Sequence, residues 1–274
     1  MQSTDTPTIA VCAEDEDCTD SAEGLADRLH LPCVPRGTGS FDLLLRVAPD
    51  TLALESCREK PRVQLVMDFV SGNAGYRITR AFESRQPLAR ALGYRRQDPY
   101  NVVDATAGLG RDAMLLATLG CRVTMLERSP VVYALLEDGL RRAANSNLLN
   151  RVLQERVSLH CTNALGWLAE RRELGQRPDA IYLDPMFPAR TKSSLVRKEM
   201  RILKTLLGNE PGSEALLRAA LDCASQRVVV KRPPGAPPLD AMPPDISYPG
   251  KRARFDVYLV PHSGPAVPGK DTAG

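Results

Sequence analysis

The stretch VVDATAGLGRDA, residues 102–113, ends an apolar run and leads into a helical pattern, so it predicts a β-strand that turns directly into an α-helix. Gly108 and Gly110 allow a tight turn and let a ligand approach the backbone closely. Asp104 ends the predicted strand, and Asp112 stands in the first turn of the predicted helix. A strand, a glycine turn and a helix in this order are typical of parallel sheets that bind ligands at their carboxyl edge.

Predicted strands and helices alternate from residue 100 onward. Such alternation predicts an α/β fold in which a parallel sheet is covered by helices. Ser129 and Pro130 predict the start of one helix, and Gly120 predicts the end of another. The predicted strands are 101–106, 121–127, 156–161, 179–184, 226–232 and 254–260, and the predicted helices are 111–120, 129–146, 164–173, 194–208 and 213–224.

Four segments are predicted along the chain. Residues 1–70 alternate short apolar runs with turns and form a small N-terminal α+β unit, which includes a hairpin over 41–57. Residues 71–99 form a basic connector, and residues 100–260 form the main α/β domain. Residues 261–274 are rich in Pro and Gly and are expected to be a disordered tail.

Composition narrows the class of protein. The chain has 274 residues, of which 43% are hydrophobic and 25% charged, and it carries a net charge of +3. We expect a cytoplasmic protein, because no secretory signal and no membrane-length apolar run is present. Seven cysteines without a C-x-x-C pair and three isolated histidines predict reduced thiols and no metal site.

An acidic residue at the end of the second predicted strand of the main domain points to a cofactor. Glu127 follows Asp104 by 23 residues, at a place where a carboxylate can accept hydrogen bonds from both hydroxyls of a ribose. A dinucleotide fold would show G-x-G-x-x-G, whereas this turn has an acid at its start. Asp104 and Asp112 suit a cationic ligand, so we predict S-adenosylmethionine (SAM). The alternative is that the two glycines only allow a tight turn between strand and helix and bind no cofactor.

Thr162 and Asn163 follow the third predicted strand of the main domain. Polar side chains at that edge can hydrogen-bond an adenine ring. Asn163 can equally cap the helix that follows. Both roles are compatible with each other.

The stretch LDPMFP, residues 183–188, follows the fourth predicted strand and therefore reaches the same edge. An exocyclic amine of a nucleobase is a poor nucleophile because its lone pair is delocalised into the ring. We predict that Asp184 and the Pro185 carbonyl accept its N–H groups, that Phe187 stacks on the base, and that Met186 only shapes the pocket. The alternative is an Asp–Pro turn with a packed aromatic ring.

Basic residues cluster around this stretch. Residues 76–96 hold six Arg and one Glu, and residues 184–205 hold six basic and two acidic residues. Such clusters can bind phosphates or can be solvated helix faces. The candidate contacts to nucleic-acid phosphates are Lys192, Arg197, Lys198, Arg201, Lys231 and Arg232, whereas Leu195, Met200, Ile202, Leu203 and Leu206 fit the core face of the helix.

Several stretches together resemble the ribosomal RNA small subunit methyltransferase J family, specifically over about 100–232 and at 254–258. They are VVDATAGLGRDA, GCRVTMLERSPVVYALLEDGL (120–140), YLDPMFPARTKSSLVRKEMR (182–201), VVVKRP (228–233) and RFDVY (254–258). The resemblance implies a class I, Rossmann-like methyltransferase with a mostly parallel seven-stranded sheet. It also implies SAM-dependent methylation of the exocyclic N2 of a guanine in bacterial 16S ribosomal RNA, free or in the small subunit.

The resemblance also implies which residues contact the cofactor. Beyond Asp104, Gly108 and Gly110 in the glycine turn, these are Arg111, Asp112, Glu127, Arg128, Thr162, Asn163 and Asp184. Two other functions remain open at this point. One is methylation of a different amine, such as adenine N6 or a protein side chain, and the other is a non-catalytic RNA-binding module. A nicotinamide dehydrogenase is disfavoured, because the third glycine and a proton-transfer His are missing.

Overall fold

The computed structural model describes most of the chain and, within 194–199, only the backbone. The described residues are 7–58, 62–71, 75, 87–95, 99–185, 194–208, 212–251 and 253–261. The predicted tail lies outside them except for residue 261, as does most of the predicted connector.

A four-stranded sheet forms the N-terminal part. Its elements are β1 (Ile9–Ala13), α1 (Thr19–Leu29), β2 (Leu43–Ala48), β3 (Thr51–Ser56) and β4 (Val63–Leu65), and the strand order is β1-β2-β3-β4. β1 and β2 are parallel, and the antiparallel pair β2–β3 confirms the predicted hairpin. The apolar stretch after β4 leaves the sheet, and Met67 packs where Gly139 has no side chain.

A seven-stranded sheet forms the main domain. Its elements, with the short helix that precedes it, are α2 (Pro87–Ala91), β5 (Asn101–Asp104), α3 (Arg111–Leu119), β6 (Arg122–Glu127), α4 (Pro130–Ala143), α5 (Asn150–Arg156), β7 (Val157–Cys161), α6 (Ala164–Glu173), β8 (Ala180–Leu183), α7 (Ser194–Leu207), α8 (Ser213–Cys223), β9 (Arg227–Arg232), β10 (Ile246–Tyr248) and β11 (Arg254–Leu259).

The strand order of this sheet is β10-β11-β9-β8-β5-β6-β7. β7, β6, β5, β8 and β9 pair in parallel, whereas β11 is antiparallel to both of its neighbours. The prediction of a mostly parallel seven-stranded sheet is confirmed. From β5 the chain adds β6 and β7 on one side of the sheet, and then β8 and β9 on the other side of β5. The loops after β5, β6 and β8 therefore meet at a topological switch point, where such sheets bind ligands.

Local signals in the sequence set the helix boundaries as predicted. The Ser129 hydroxyl accepts a hydrogen bond from the Val132 amide, and Pro130 occupies the first turn of α4. Gly120 ends α3 with φ +122°, and an added Cβ would lie 2.3 Å from the Tyr94 hydroxyl oxygen. The short helix α5 and the strand β10 are not among the predicted elements.

The two sheets share one hydrophobic core through α4. The apolar face of the N-terminal sheet packs with Leu135 and Leu136 of that helix in one buried cluster. Asp138 on α4 accepts a hydrogen bond from the Leu52 amide at 3.1 Å and forms an ion pair with Arg142 at 2.9 Å. The hairpin is therefore fixed to the main domain by apolar packing and by a satisfied carboxylate.

Within the described ranges, no helix combines the length and the hydropathy needed to cross a lipid bilayer.

Candidate active site

A cavity of about 390 Å³ lies at the carboxyl ends of β5, β6, β7 and β8. Every residue predicted to bind the cofactor lines it, which brings together side chains from four strand ends. These residues are Asp104, Gly108, Gly110, Arg111, Asp112, Glu127, Arg128, Thr162, Asn163 and Asp184.

The two glycines of the turn after β5 have different physical roles. Both have positive φ, +50° at Gly108 and +67° at Gly110, a region that disfavours side chains with a Cβ. An added Cβ at Gly110 would lie 2.7 Å from Leu136 Cδ2 and 3.1 Å from Phe69 Cζ, whereas one at Gly108 would meet its nearest atom at 3.7 Å. Gly110 is thus required by packing, and Gly108 leaves the backbone open to the cavity.

Glu127 holds the glycine turn against the next strand. Its carboxylate accepts hydrogen bonds from the Gly108 amide at 3.0 Å and from the Ser129 amide at 2.8 Å. The side chain is buried yet lines the cavity. Its place at the end of β6 fits the predicted ribose acceptor, and that role stays a prediction.

Asp104 is the most buried acid of the cavity. It is 2% exposed and accepts a hydrogen bond from the Thr106 amide at 3.1 Å. Burial raises the pKa of its carboxyl to about 8, and the neighbouring carboxylates of Asp112 and Asp184 act in the same direction. In the ligand-free protein the Asp104 carboxyl is therefore mainly protonated at pH 7.

Lys231 bridges two carboxylates in the cavity. Its Nζ lies 2.8 Å from Asp112 Oδ2 and 2.8 Å from Asp184 Oδ2. The Tyr182 hydroxyl also donates to Asp112 Oδ2, at 2.8 Å. The sequence predicted an RNA contact at Lys231, whereas the structure directs its ammonium into the cavity. Tyr182 was not among the predicted site residues, because an aromatic residue in a buried strand is typical of the hydrophobic core.

Asp184 and Pro185 stand directly after β8 and line the cavity together. The Asp184 amide donates to Thr106 Oγ1 at 2.6 Å, which ties this turn to the turn after β5. The Asp184 side chain remains 37% exposed. Met186 and Phe187 lie outside the described residues, so the stacking role of Phe187 stays a prediction.

Thr162 and Asn163 line the cavity from the end of β7. Asn163 Oδ1 accepts a hydrogen bond from the Leu165 amide at 2.9 Å and caps α6, so the capping interpretation is confirmed. The Thr162 amide donates to the Glu127 carbonyl at 2.9 Å. The adenine interpretation stays a prediction that the cap does not contradict.

Helices α7 and α8 supply an apolar wall that sequence reasoning missed. Met200, Leu203 and Leu207 line the cavity from α7, and Leu216 lines it from α8. The sequence predicted Met200 and Leu203 as core, and Leu203 is indeed 3% exposed. Nothing in the sequence places α7 over the carboxyl edge, because that requires the tertiary packing of α7 against β3 and β4.

Besides Lys231, the five other predicted RNA contacts divide into three groups. Arg201 is exposed on α7, as an RNA contact requires. The prediction for Arg232 needs correction: it is 5% exposed, and its Nε donates to the Pro237 carbonyl at 3.1 Å. Lys192 lies outside the described residues, and the side chains of Arg197 and Lys198 are not described.

The charges of the cavity fit SAM. Among the described residues four acidic and three basic side chains line it, which leaves one excess negative charge once Asp104 is ionised, as a cationic ligand favours. SAM carries a sulfonium, an ammonium and a carboxylate, a net charge of +1, so the bound molecule would balance the cavity. Asp104, Asp112 and Asp184 can face its cationic groups, and Arg111 and Arg128 can face its carboxylate. No group of three or more potential metal ligands occurs in the described part of the chain.

Known proteins resemble this chain over nearly its whole length. The family model SAM_MT, which describes SAM-dependent methyltransferases, matches residues 25–260. A ribosomal RNA small subunit methyltransferase J from Thioalkalivibrio sulfidiphilus is 46% identical over 252 residues, 92% of this chain and 98% of that protein. The protein of the same name from Nitrosococcus oceani is 44% identical over 88% of this chain and 94% of its own length.

A solved structure agrees with these sequence matches. The crystal structure of a SAM-dependent methyltransferase from Neisseria gonorrhoeae superposes with a TM-score of 0.70 at 32% identity. The superposition covers 95% of this chain and 99% of that one.

Proposed function

Because the chain belongs to the ribosomal RNA small subunit methyltransferase J family, we propose that it methylates the exocyclic N2 amine of a guanine in 16S ribosomal RNA. The chain is a SAM-dependent methyltransferase. The relatives' names support a substrate in the RNA of the small subunit. The choice of guanine N2 is our proposal, and it rests on the family resemblance together with the chemistry of the site.

The position of Asp184 and Pro185 carries this proposal. They follow β8 and line the same cavity as the glycine turn and Glu127, so a substrate amine beside Asp184 would lie next to a cofactor held by that turn. Bound SAM supplies a methyl group on a sulfonium, whose sulfur leaves as a neutral thioether. The chain orients the amine, excludes water and provides, in the Asp184 carboxylate, an acceptor for the proton that the nitrogen loses on methylation.

Asp184 can orient the amine because its own position is restrained. Its amide is fixed to Thr106 Oγ1, while its carboxylate, 37% exposed, stays within reach of a ligand. A carboxylate that accepts an N–H of the amine reduces the conjugation of the nitrogen lone pair with the ring and directs that lone pair toward the methyl donor. The Pro185 carbonyl is proposed as the second acceptor, and Phe187 as the stacking surface.

The RNA backbone is proposed to lie along α7. Arg201 is exposed on this helix, and Lys192, Arg197 and Lys198 belong to the same basic segment. These residues would bind phosphates on either side of a guanine that is extruded into the cavity. An RNA substrate of this kind also supports a cytoplasmic location.

Methyl transfer to defined RNA tests the proposal. The purified chain is incubated with tritiated SAM and either free 16S RNA or small ribosomal subunits, and the product nucleosides are identified by mass spectrometry. We expect N2-methylguanosine as the product. N6-methyladenosine, or label in protein instead of RNA, would show that the proposed substrate is wrong.

A further inference from the structure

Lys231 lies at the end of β9, next to β8 in the sheet and inside the cavity rather than on its rim. We infer that Lys231 is a positioning residue for methyl transfer: its ammonium holds the Asp184 carboxylate in the orientation that receives the substrate amine. This inference rests on the proposed function, since it assigns Lys231 a task in that reaction.

The geometry restrains Asp184 at two points. Its amide donates a hydrogen bond to Thr106 Oγ1 at 2.6 Å, and its Oδ2 accepts a hydrogen bond from Lys231 Nζ at 2.8 Å. Lys231 is held in turn by Asp112 Oδ2 at 2.8 Å, in the first turn of α3. Three elements of the fold, the end of β8, the start of α3 and the end of β9, thereby meet at one ammonium group.

The ammonium also keeps like charges together that would otherwise repel each other. Asp112 Oδ2 and Asp184 Oδ2 share Lys231 Nζ, so these two oxygens are no further apart than twice 2.8 Å. Asp104 is coupled electrostatically to both carboxylates and to Lys231, and the Tyr182 hydroxyl donates to Asp112. Without the cation, repulsion would favour turning the half-exposed Asp184 side chain toward solvent.

Lys231 does not act as a base. Burial disfavours its ammonium form, but Asp184 and Asp112 outweigh burial and raise the pKa of Lys231 above its ordinary value. It therefore stays charged at every pH at which the enzyme would be assayed. Its effect on the amine is exerted through Asp184.

The alternation of side chains along β9 separates Lys231 from its neighbour. Successive residues of a strand point to opposite faces, so Lys231 enters the cavity while Arg232 is buried on the other side against the Pro237 carbonyl. A basic residue that is 29% exposed and bonded to two carboxylates is poorly placed to bind an RNA phosphate.

The test compares Lys231→Met and Lys231→Arg with the wild-type chain. For each protein one measures kcat, the KM for RNA, the Kd for SAM by calorimetry and the melting temperature. The positioning role predicts that kcat of Lys231→Met falls about 100-fold, which corresponds to the loss of one oriented polar group. The KM for RNA should stay within about threefold, and SAM should bind as tightly or more tightly, because the site has lost a positive charge. Lys231→Arg should keep kcat within about tenfold of wild type, because the charge remains.

Other outcomes overturn the inference. A raised KM for RNA with unchanged kcat and a weaker salt dependence would make Lys231 a phosphate contact. If kcat of Lys231→Met stayed within threefold of wild type, Asp184 would need no such support. If Lys231→Met failed to fold, Lys231→Arg would decide: a kcat lowered between about threefold and tenfold, with unchanged SAM affinity, would support positioning, because the guanidinium keeps the charge but not the geometry, and an unchanged kcat would show that Lys231 serves stability alone.

The wild-type arm separates this inference from the proposed function. If the wild-type product is methylated on another amine, the proposed substrate is wrong, yet the ratio of kcat between Lys231→Met and wild type on that amine still decides the role of Lys231. Arg172→Met removes a surface ion pair with Asp222 and serves as the control that should leave all four quantities unchanged.

Discussion

Each of the two sheets has a network of ion pairs, and the roles of the acidic and basic side chains are exchanged between the two networks. In the N-terminal sheet each carboxylate contacts two guanidinium groups: Glu14 pairs with Arg36 and Arg46, and Glu55 pairs with Arg46 and Arg62. In the cavity, by contrast, one ammonium contacts two carboxylates. The excess positive charge of the first network lies on Arg36 and Arg62, which are exposed to solvent, whereas the excess negative charge of the second lies in a cavity, where a cationic ligand can neutralise it.

The contrast shows how to distinguish structural charges from functional ones. Arg46 and Glu55 are 12% and 5% exposed in their side chains, and they join adjacent strands. A buried ion pair of this kind supports the register of a sheet but needs no ligand. A cluster with excess charge at a sheet's carboxyl edge is stabilised further when a ligand of opposite charge binds.

The largest expected effect is in the cavity network. Asp184→Ala should lower methyl transfer roughly a thousandfold, because the amine loses the acceptor that orients it. Its melting temperature should change little, since the side chain is partly exposed. Transfer of tritium to RNA and a thermal melt measure the two effects. Asp222→Asn, a change in an exposed carboxylate, is the control. Met186→Pro should retain activity, because Met186 is predicted only to shape the pocket. Full activity of Asp184→Ala would contradict the role given to the DPMF turn.

The N-terminal network should give the reverse pattern. Arg46→Met leaves Glu55 buried with only Gln64 and the more distant Arg62 as partners, so the free energy of unfolding should fall by about 3 kcal/mol. Methyl transfer by the folded fraction should be unchanged. Urea denaturation measures the first quantity. Arg58→Met, which removes an exposed ion pair with Asp42, should cost less than about 1 kcal/mol. Equal losses in the two variants would contradict the distinction between the networks.

The glycine turn offers a smaller, paired test. Gly110→Ala should lower the free energy of unfolding by about 2–3 kcal/mol, because φ is +67° and the new Cβ meets Leu136 at 2.7 Å. Gly108→Ala should cost only about 1 kcal/mol, because its surroundings are open, but it should weaken SAM binding. Denaturation and calorimetry separate the two effects. The assignment would be wrong if Gly108→Ala were the less stable variant.

The smallest expected effect concerns protons. Burial raises the pKa of Asp104 to about 8 from an ordinary value of 3.8, so its carboxyl holds a proton at pH 7 in the ligand-free protein. A cationic ligand favours the ionised form, so binding of SAM should release up to one proton. Affinity should accordingly rise as pH increases toward 8 and level off above it. Calorimetry in buffers of different ionisation enthalpy measures the release, and Asp104→Asn should abolish it. No proton release by wild type would contradict this linkage.

Most of the fold could be predicted because its signals are local. Ser129, Pro130 and Gly120 mark helix ends through their own backbone preferences, and the structure places all three as expected. The missed elements, α5 and β10, are short, seven and three residues long. Short elements form largely through tertiary contacts, so their sequences carry little periodicity.

The sequence indicated which residues lie together at the cavity, but not which side chains pair with each other there. The strand ends indicated that Asp104, Glu127, Asn163 and Asp184 meet at one edge, and all of them line the cavity. The sequence could not show that Lys231 points inward, because its direction depends on the pleat of β9. It could not show the apolar wall from α7 either, because that depends on packing against the N-terminal sheet.

The sequence by itself determined the order of the strands, turns and helices along the chain. It also determined that acidic residues stand at the carboxyl ends of the strands. Both follow from φ/ψ preferences and hydrophobic periodicity, which act over a few residues. The tertiary structure decided which charges meet. Asp112 and Lys231 are 119 residues apart, and they pair only because α3 follows β5 and because β8 lies between β5 and β9 in the sheet. That neighbourhood follows from the burial of both faces of the sheet and from strand order, which no local stretch of the chain encodes.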